Sequence, residues 1–273
     1  MTLNCKGTLI DLAVPKIMGI LNVTPDSFYD GGRYSDNEGV LAQVTKMLDE
    51  GATFIDLGAY SSRPGAQAVS ETEELQRILP IVRLLLDHFP KITLSIDTFR
   101  SSVAAECIAA GAAMINDISA GTRDTEMLAT VARLRVPYIM MHMRGTAKTM
   151  QEQTGYSDLL TDILFYFSER IAAARTLGIH DIVVDPGFGF AKTLEQNYEL
   201  LSHLDAFKAL ELPILVGLSR KSMIYKALGT TAENALNGST VLHTYALQKG
   251  AQILRVHDVK EAMEAITLSQ LLA

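Results

Sequence analysis

The chain has 273 residues, of which 48% are hydrophobic and 20% charged, with a formal net charge of −7. That composition belongs to a folded chain with a large core. The acidic excess excludes a nucleic-acid surface, which needs clustered surplus cations.

In chain order, GTLIDLA (7–13) reads as a small extra strand or hairpin. KIMGILN (16–22) is the first near-continuous apolar run, and the helical pattern after it, NEGVLAQVTKMLDEG, closes on Gly51, a helix-ending residue. TFIDLG (53–58) precedes SETEELQRILPIVRLLLDHF, which opens with the capping-box spacing Ser70 to Glu73. ITLSID (92–97) is followed by RSSVAAECIAAG, AMINDI (113–118) by DTEMLATVARL, and PYIMMH (137–142) by SDLLTDILFYFSERIAAARTLG. DIVVDP (181–186) leads into LEQNYELLSHLDAF. PILVGLS (213–219) leads into the shorter LSRKSMIYKALG and then NALNGSTVLHTYALQKG, and QILRVH (252–257) into VKEAMEAITLSQLL.

Eight such runs recur about every 33 residues between Asn22 and Arg255, close to the roughly 30 residues of one strand–helix unit. Near-continuous apolarity marks parallel strands buried on both faces. The pattern predicts an α/β fold, a (β/α)₈ TIM barrel with GTLIDLA covering its bottom. No linker divides the chain, so a single domain over 1–273 is expected. Cys5 and Cys107 lie outside any CxxC pair and read as buried thiols of a reducing compartment. The opening residues carry no signal-peptide pattern and no run is long enough to span a membrane, so a cytoplasmic location is expected.

In such a barrel the chemistry gathers at the C-terminal ends of the strands. Those ends are Asn22, Asp56, Asp97, Asn116 with Asp117, His142, Asp185, Ser219 with Lys221, and Arg255 with His257. Singly each has a plain reading: Asp56 could cap a turn, Asp117 could be a helix-side N-cap, and His142 could be a satisfied polar residue. Together they are too many desolvated polar groups for an idle barrel. Asp97, Asn116 and Asp185 offer acceptors suited to a flat, donor-rich heterocycle. Arg63, Lys221, Arg255 and His257 bring cations to one mouth of an acidic protein, which implies an anionic substrate or leaving group. Removing Arg255 is expected to affect the anion site and not the core. Phe190 reads equally as a plug or a ligand contact, and Met140, Met141 and Met143 as strand packing. His88, His203 and His243 sit in helical patterns and are expected to be solvated. The chain carries no ATP or NAD fingerprint, no zinc motif and no GxSxG elbow.

GILNVTPDSFYDGGRY (19–34), SSRPGA (61–66), SIDTFR (95–100), INDISAG (115–121), MHMRGTAKTMQ (141–151), DPGFGFAKT (185–193), GLSRKS (217–222) and RVHDV (255–259) closely resemble, in order, the motifs of the dihydropteroate synthases. The likeness runs over essentially the whole chain. It implies a transferase of folate biosynthesis that joins 6-hydroxymethyl-7,8-dihydropterin pyrophosphate to p-aminobenzoate through a pterin cation and releases pyrophosphate. It implies that Asp97, Asn116, Ile118, Asp185, Phe190, Gly217 and Lys221 hold the pterin, and that Asn22, Ser62, Arg63, Arg255 and His257 hold the pyrophosphate, with Mg²⁺ at Asn22. Phe28, Ser62, Pro64, Phe190, Lys221 and Ser222 would contact p-aminobenzoate. Asp30, Asp97, Asp185, Lys221 and Arg255 would carry the catalysis. Loops around Pro25, Phe28 and Asp30, and around Ser61 to Pro64, would close over the site, and a homodimer is implied. The chain departs from the pattern at Tyr60, where many members carry an acid, and at Ser62, where they carry threonine. The TPDSF and SRPGA loops set it apart from pterin-binding methyltransferase domains, which would share the barrel.

Overall fold

The computed structural model describes residues 1–23, 36–60, 69–146 and 148–272. Two short strands come first, β1 (Thr2–Cys5) and β2 (Thr8–Asp11), paired antiparallel. Lys6 and Gly7 join them, both at positive φ (54° and 84°), the backbone of a tight two-residue hairpin turn. The expected covering strand is thus a hairpin that begins five residues earlier than GTLIDLA.

All eight apolar runs form strands: β3 (Lys16–Asn22), β4 (Phe54–Gly58), β5 (Leu94–Asp97), β6 (Met114–Asp117), β7 (Tyr138–Met141), β8 (Ile182–Asp185), β9 (Leu215–Val216) and β10 (Ile253–Val256). They are parallel and ordered β8-β7-β6-β5-β4-β3-β10-β9. The remaining seam is spanned by a bridge from Val184 to Ile214, with the Val184 N–H donating to the Pro213 carbonyl at 2.9 Å. The sheet is therefore a barrel whose thinnest stave is β9.

Helices follow the strands: α1 (Asp36–Asp49), α2 (Glu71–His88), α3 (Ser101–Ala109), α4 (Met127–Leu134), α5 (Leu159–Thr176), α6 (Leu194–Ser202), α7 (Ser222–Ala227), α8 (Leu236–Lys249) and α9 (Val259–Gln270). The Ser70 hydroxyl accepts from the Glu73 N–H, but the Glu73 side chain turns forward to Arg77, so only half of the expected capping box forms. The segment LEQNYELLSHLDAF does not stay one helix. Ser202 Oγ and His203 Nδ1 both reach the Glu199 carbonyl, and residues Leu204–Leu210 continue as a 3₁₀ helix, a competition that ends regular helices. No described helix is long and apolar enough to cross a membrane.

The core has two compartments. One lies between barrel and helices, around Ile55, Ile96, Tyr138, Phe167 and Phe207. The other fills the barrel interior, where Met18, Phe54, Met114, Ile139 and Ile253 meet Leu3, Cys5 and Leu12 from the hairpin segment. With its lower half plugged, the barrel leaves its polar side chains to the upper rim. Both cysteines are buried and free, as the sequence implies.

Candidate active site at the barrel mouth

Strand register places the rim residues side by side. Asn22 pairs with Gly58, Gly58 with Asp97, and Asp97 with Asn116, in one layer across four strands. A Cβ on Gly58 would lie 3.4 Å from Asp97 Cβ and 3.5 Å from Asn22 Oδ1.

One layer below sits Asp56, fully buried on β4. Its Oδ2 accepts from Arg255 Nε at 2.6 Å and from Asn116 Nδ2 at 2.9 Å. Arg255 Nη2 donates to Asp97 Oδ2 at 2.7 Å. Arg255 thus bridges two carboxylates through Nε and Nη2, and neither bond uses Nη1. Burial disfavours the Arg255 cation, yet Asp56 and Asp97 outweigh it and hold the guanidinium above its ordinary value. Burial pushes the Asp97 carboxyl up to about 7, with Arg255 opposing. The expectation that Arg255 concerns the anion site alone is therefore corrected. It neutralises two buried acids, because charges withdrawn from water must be paired. The sequence reading saw Asp56 only as a strand end. A carboxylate inside the run FIDLG, buried along its whole length, was the available signal.

Asp185, at the end of β8, accepts the Gly187 N–H at 2.8 Å. Burial raises its pKa, chiefly against Lys221; burial lowers Lys221 to about 8, against Asp185. Lys221 Nζ donates to the Phe188 carbonyl and lies 5.0 Å from the Phe190 ring centre. Gly217 lies beside this ammonium, 3.6 Å from Lys221 Nζ to where a Cβ would stand. Ser222 opens α7 directly after Lys221. At the neighbouring rim, the His257 N–H donates to Ser219 Oγ at 3.2 Å.

Phe190 packs with Ile118, Met141, Met143 and Phe99 into a small apolar cluster apart from the main core, while Met140 joins the outer core. This cluster gives the polar rim an apolar wall. Asp117 points elsewhere: it accepts from the Ser119 and Gly121 N–H groups and from Tyr138 Oη, fixing the turn after β6. Tyr60 meets Phe99 edge-on at 5.4 Å, with the Arg100 guanidinium 5.9 Å from its ring.

Lys192 was not singled out in the sequence. Its buried ammonium donates to the Gly187 and Phe190 carbonyls, each at 3.0 Å, and lies 3.1 Å from His142 Nδ1. Burial lowers Lys192 to about 7 and His142 to about 2, so His142 is a neutral core group. This lysine laces together the glycine-rich turn 187–190. A Cβ on Gly187, whose φ is +73°, would stand 2.0 Å from the His142 carbonyl oxygen. His243, expected to be solvated, is buried on α8, and burial lowers it to about 4. His88 and His203 are exposed. Pro25, Phe28, Asp30, Ser61, Ser62, Arg63 and Pro64 lie outside the described residues.

A parallel barrel with carboxylates, an amide, a lysine and an arginine converging on an apolar-walled mouth defines a small-molecule enzyme of the pterin-binding type. Residues 18–257 match the pterin binding enzyme family, and the chain belongs to it. Within that family it stands with the dihydropteroate synthases. It is 44% identical over 268 residues to the dihydropteroate synthase of Escherichia coli K12, covering 97% of this chain and 94% of the relative. The crystal structure of the Yersinia pestis dihydropteroate synthase with a sulfonamide drug complex superposes with a TM-score of 0.93 at 44% identity, covering 100% of this chain and 99% of that one. The Xanthomonas albilineans dihydropteroate synthase with 4-aminobenzoic acid gives 0.92 at 41% identity, covering 99% and 97%.

Proposed function

We propose that the chain condenses 6-hydroxymethyl-7,8-dihydropterin pyrophosphate with p-aminobenzoate to give 7,8-dihydropteroate and pyrophosphate. The carrying observation is the single barrel mouth to which the strand ends bring Asp97, Asn116 and Asp185, with Lys221 beside them and the apolar cluster of Ile118 and Phe190 as a wall. Asp97, Asn116 and Asp185 present acceptors to the ring N–H and NH₂ groups. Gly217, beside Lys221, lines the same side of the ring. As the CH₂–O bond breaks, the Asp185 and Asp97 carboxylates offset positive charge on the pterin. Arg255 Nη1, with His257 and with Ser62 and Arg63, receives the pyrophosphate. The aniline nitrogen then attacks the cation, with p-aminobenzoate resting between Phe190, Lys221, Ser222, Phe28, Ser62 and Pro64. Asp30 completes the catalytic set on the first loop.

The donor set suits magnesium, which prefers oxygen ligands and usually borrows several from phosphate. Asn22 offers an amide oxygen at the rim beside Gly58, and the buried Asp56 Oδ1 has no hydrogen-bond partner among the described residues. Asn22 would hold Mg²⁺ against the pyrophosphate, and the ion would neutralise charge on the departing group.

The protein is further inferred to be a cytoplasmic homodimer. Exposed Val241 and Tyr245 on α8 and Leu268 on α9 support a second copy as the partner of that face, and sedimentation velocity reads the mass directly. A coupled pyrophosphate assay tests the reaction. Sustained release is expected with p-aminobenzoate present; release that ignores p-aminobenzoate, or none at all, would overturn the assignment.

A further inference from the structure

The loop after β9 carries Gly217, Ser219, Lys221 and Ser222, yet β9 is the weakest stave. It has two residues and pairs with β10 through two register positions, Leu215 with Ile253 and Val216 with Leu254. Toward β8 a lone bridge joins Val184 to Ile214. The backbone ladder gives this loop little support.

Arg220 supplies it from the side. Its backbone is left-handed (φ +53°), a conformation that L-residues with a side chain seldom hold without compensating contacts. In that conformation its N–H donates to Ser239 Oγ on α8 at 2.9 Å. Its side chain forks onto Asp258, with Nε to Oδ2 at 2.8 Å and Nη2 to Oδ1 at 2.9 Å. Nη1 donates to the Ala232 and Glu233 carbonyls between α7 and α8. One side chain thus ties the loop after β9 to the segment before α8 and to the start of α9.

Asp258 follows His257 directly and stands three residues after Arg255. Ser219, the neighbour of Arg220 on the other side, accepts the His257 N–H at 3.2 Å. The fork and this backbone bond bracket the same two loops. We propose that Arg220 and Asp258 are a positioning pair: they lock the loop after β9 to the loop after β10, and so fix Lys221 relative to Arg255 and His257. The pair touches no substrate. It acts through the spacing between the pterin-holding lysine and the pyrophosphate-holding residues, a role that rests on the proposed synthase reaction. A planar guanidinium is the side chain suited to this, because two parallel bonds to one carboxylate fix angle as well as distance.

The test compares Arg220→Lys, which keeps the charge and loses the fork, with Asp258→Asn and the double variant. Steady-state rates, pyrophosphate binding by calorimetry and thermal unfolding are measured on each. Displacement of the reacting groups should lower kcat roughly ten- to a hundredfold and weaken pyrophosphate binding, while the unfolding midpoint moves little. Because both changes break one fork, the double variant should be no worse than the worse single. Lys249→Ala, which removes the surface contact to Asp205 at 3.3 Å, is the control and should keep wild-type kcat. Unchanged kcat and pyrophosphate affinity in both single variants overturn the proposal. So do additive losses in the double variant, or loss of the folded state in both singles, which would make the pair a stability element only. A wild-type protein that binds pyrophosphate but does not turn over would instead overturn the synthase assignment and leave the binding comparison standing.

Discussion

Replacing Arg255 with alanine removes one cation from between two carboxylates. Asp56 is fully buried, and the Asp97 side chain is 18% exposed. Asp56 cannot recover its lost partner from bulk water and Asp97 can do so only in part, so the variant holds poorly compensated buried charge. Removing one member of a buried ion pair costs about 3–5 kcal/mol, against a total stability of roughly 5–15 kcal/mol for a domain. Urea unfolding of Arg255→Ala should show that loss at pH 8. Its pH dependence is fixed by Asp97, whose carboxyl burial has already lifted from 3.8 to about 7. A raised carboxyl contributes stability that is present below its unfolded pKa and lost as pH rises through the folded one. Without the opposing Arg255, the folded value climbs further. The deficit of the variant should therefore shrink between pH 8 and pH 5 as Asp97 protonates. The decisive comparison is Arg255→Ala with Asp56→Asn added. That second change removes one unpaired charge and keeps an acceptor for Asn116. The double variant should be more stable than Arg255→Ala alone at pH 8. A double variant that is less stable, or a single variant equally destabilised at pH 5 and pH 8, would refute the account of Arg255 as the neutralising bridge.

Asp185→Asn should weaken pterin binding much more than p-aminobenzoate binding, because an amide sets a donor against a ring donor. The loss of a charge-assisted bond, about 1.5–3 kcal/mol, corresponds to roughly ten- to a hundredfold, and calorimetry with a pterin analogue reads it. His243, lowered by burial from 6.5 to about 4, must take up a proton as the protein unfolds in acid. Its stability contribution is present above pH 6.5 and lost as pH falls through 4. His243→Phe should flatten the acid limb of the stability profile between those values, and an unchanged limb would assign it to other groups.

The strands were legible because parallel strands buried on both faces leave continuous apolar runs, and the rim residues because each run ends on a polar group. Asn22, Asp97, Asn116, Asp185 and Arg255 were found in this way, and the register then set the first four strand ends in their order. The side-chain partnerships were not legible. Nothing in FIDLG says that Asp56 reaches Arg255, 199 positions later. His243 falls in a helical pattern whose buried face is nearly as polar as its exposed one, with Ser239 and His243 both inside, so periodicity pointed the wrong way. Lys192 binds mostly main-chain carbonyls, which leave no trace in composition, and Arg220 finds its carboxylate 38 positions away at Asp258. The split of α6 from the 3₁₀ segment depends on which donor reaches the Glu199 carbonyl, a contest between atoms that letters do not record.

The hairpin of β1 and β2 closes the base of the barrel, with Leu3, Cys5 and Leu12 against Met18, Phe54, Met114, Ile139 and Ile253. Lys6 Nζ is also held by the Gly111 carbonyl, 105 positions on, at 2.6 Å. The hairpin is thus a stopper whose bottle is drawn from strands spread along the chain. Its seat includes Ile253 of β10, so it is complete only once that strand has joined the sheet. Contacts between such distant parts of a chain form late and slow folding. The barrel's interior is sealed at its base by contacts among the most widely separated in the described sequence, from Leu3 to Ile253.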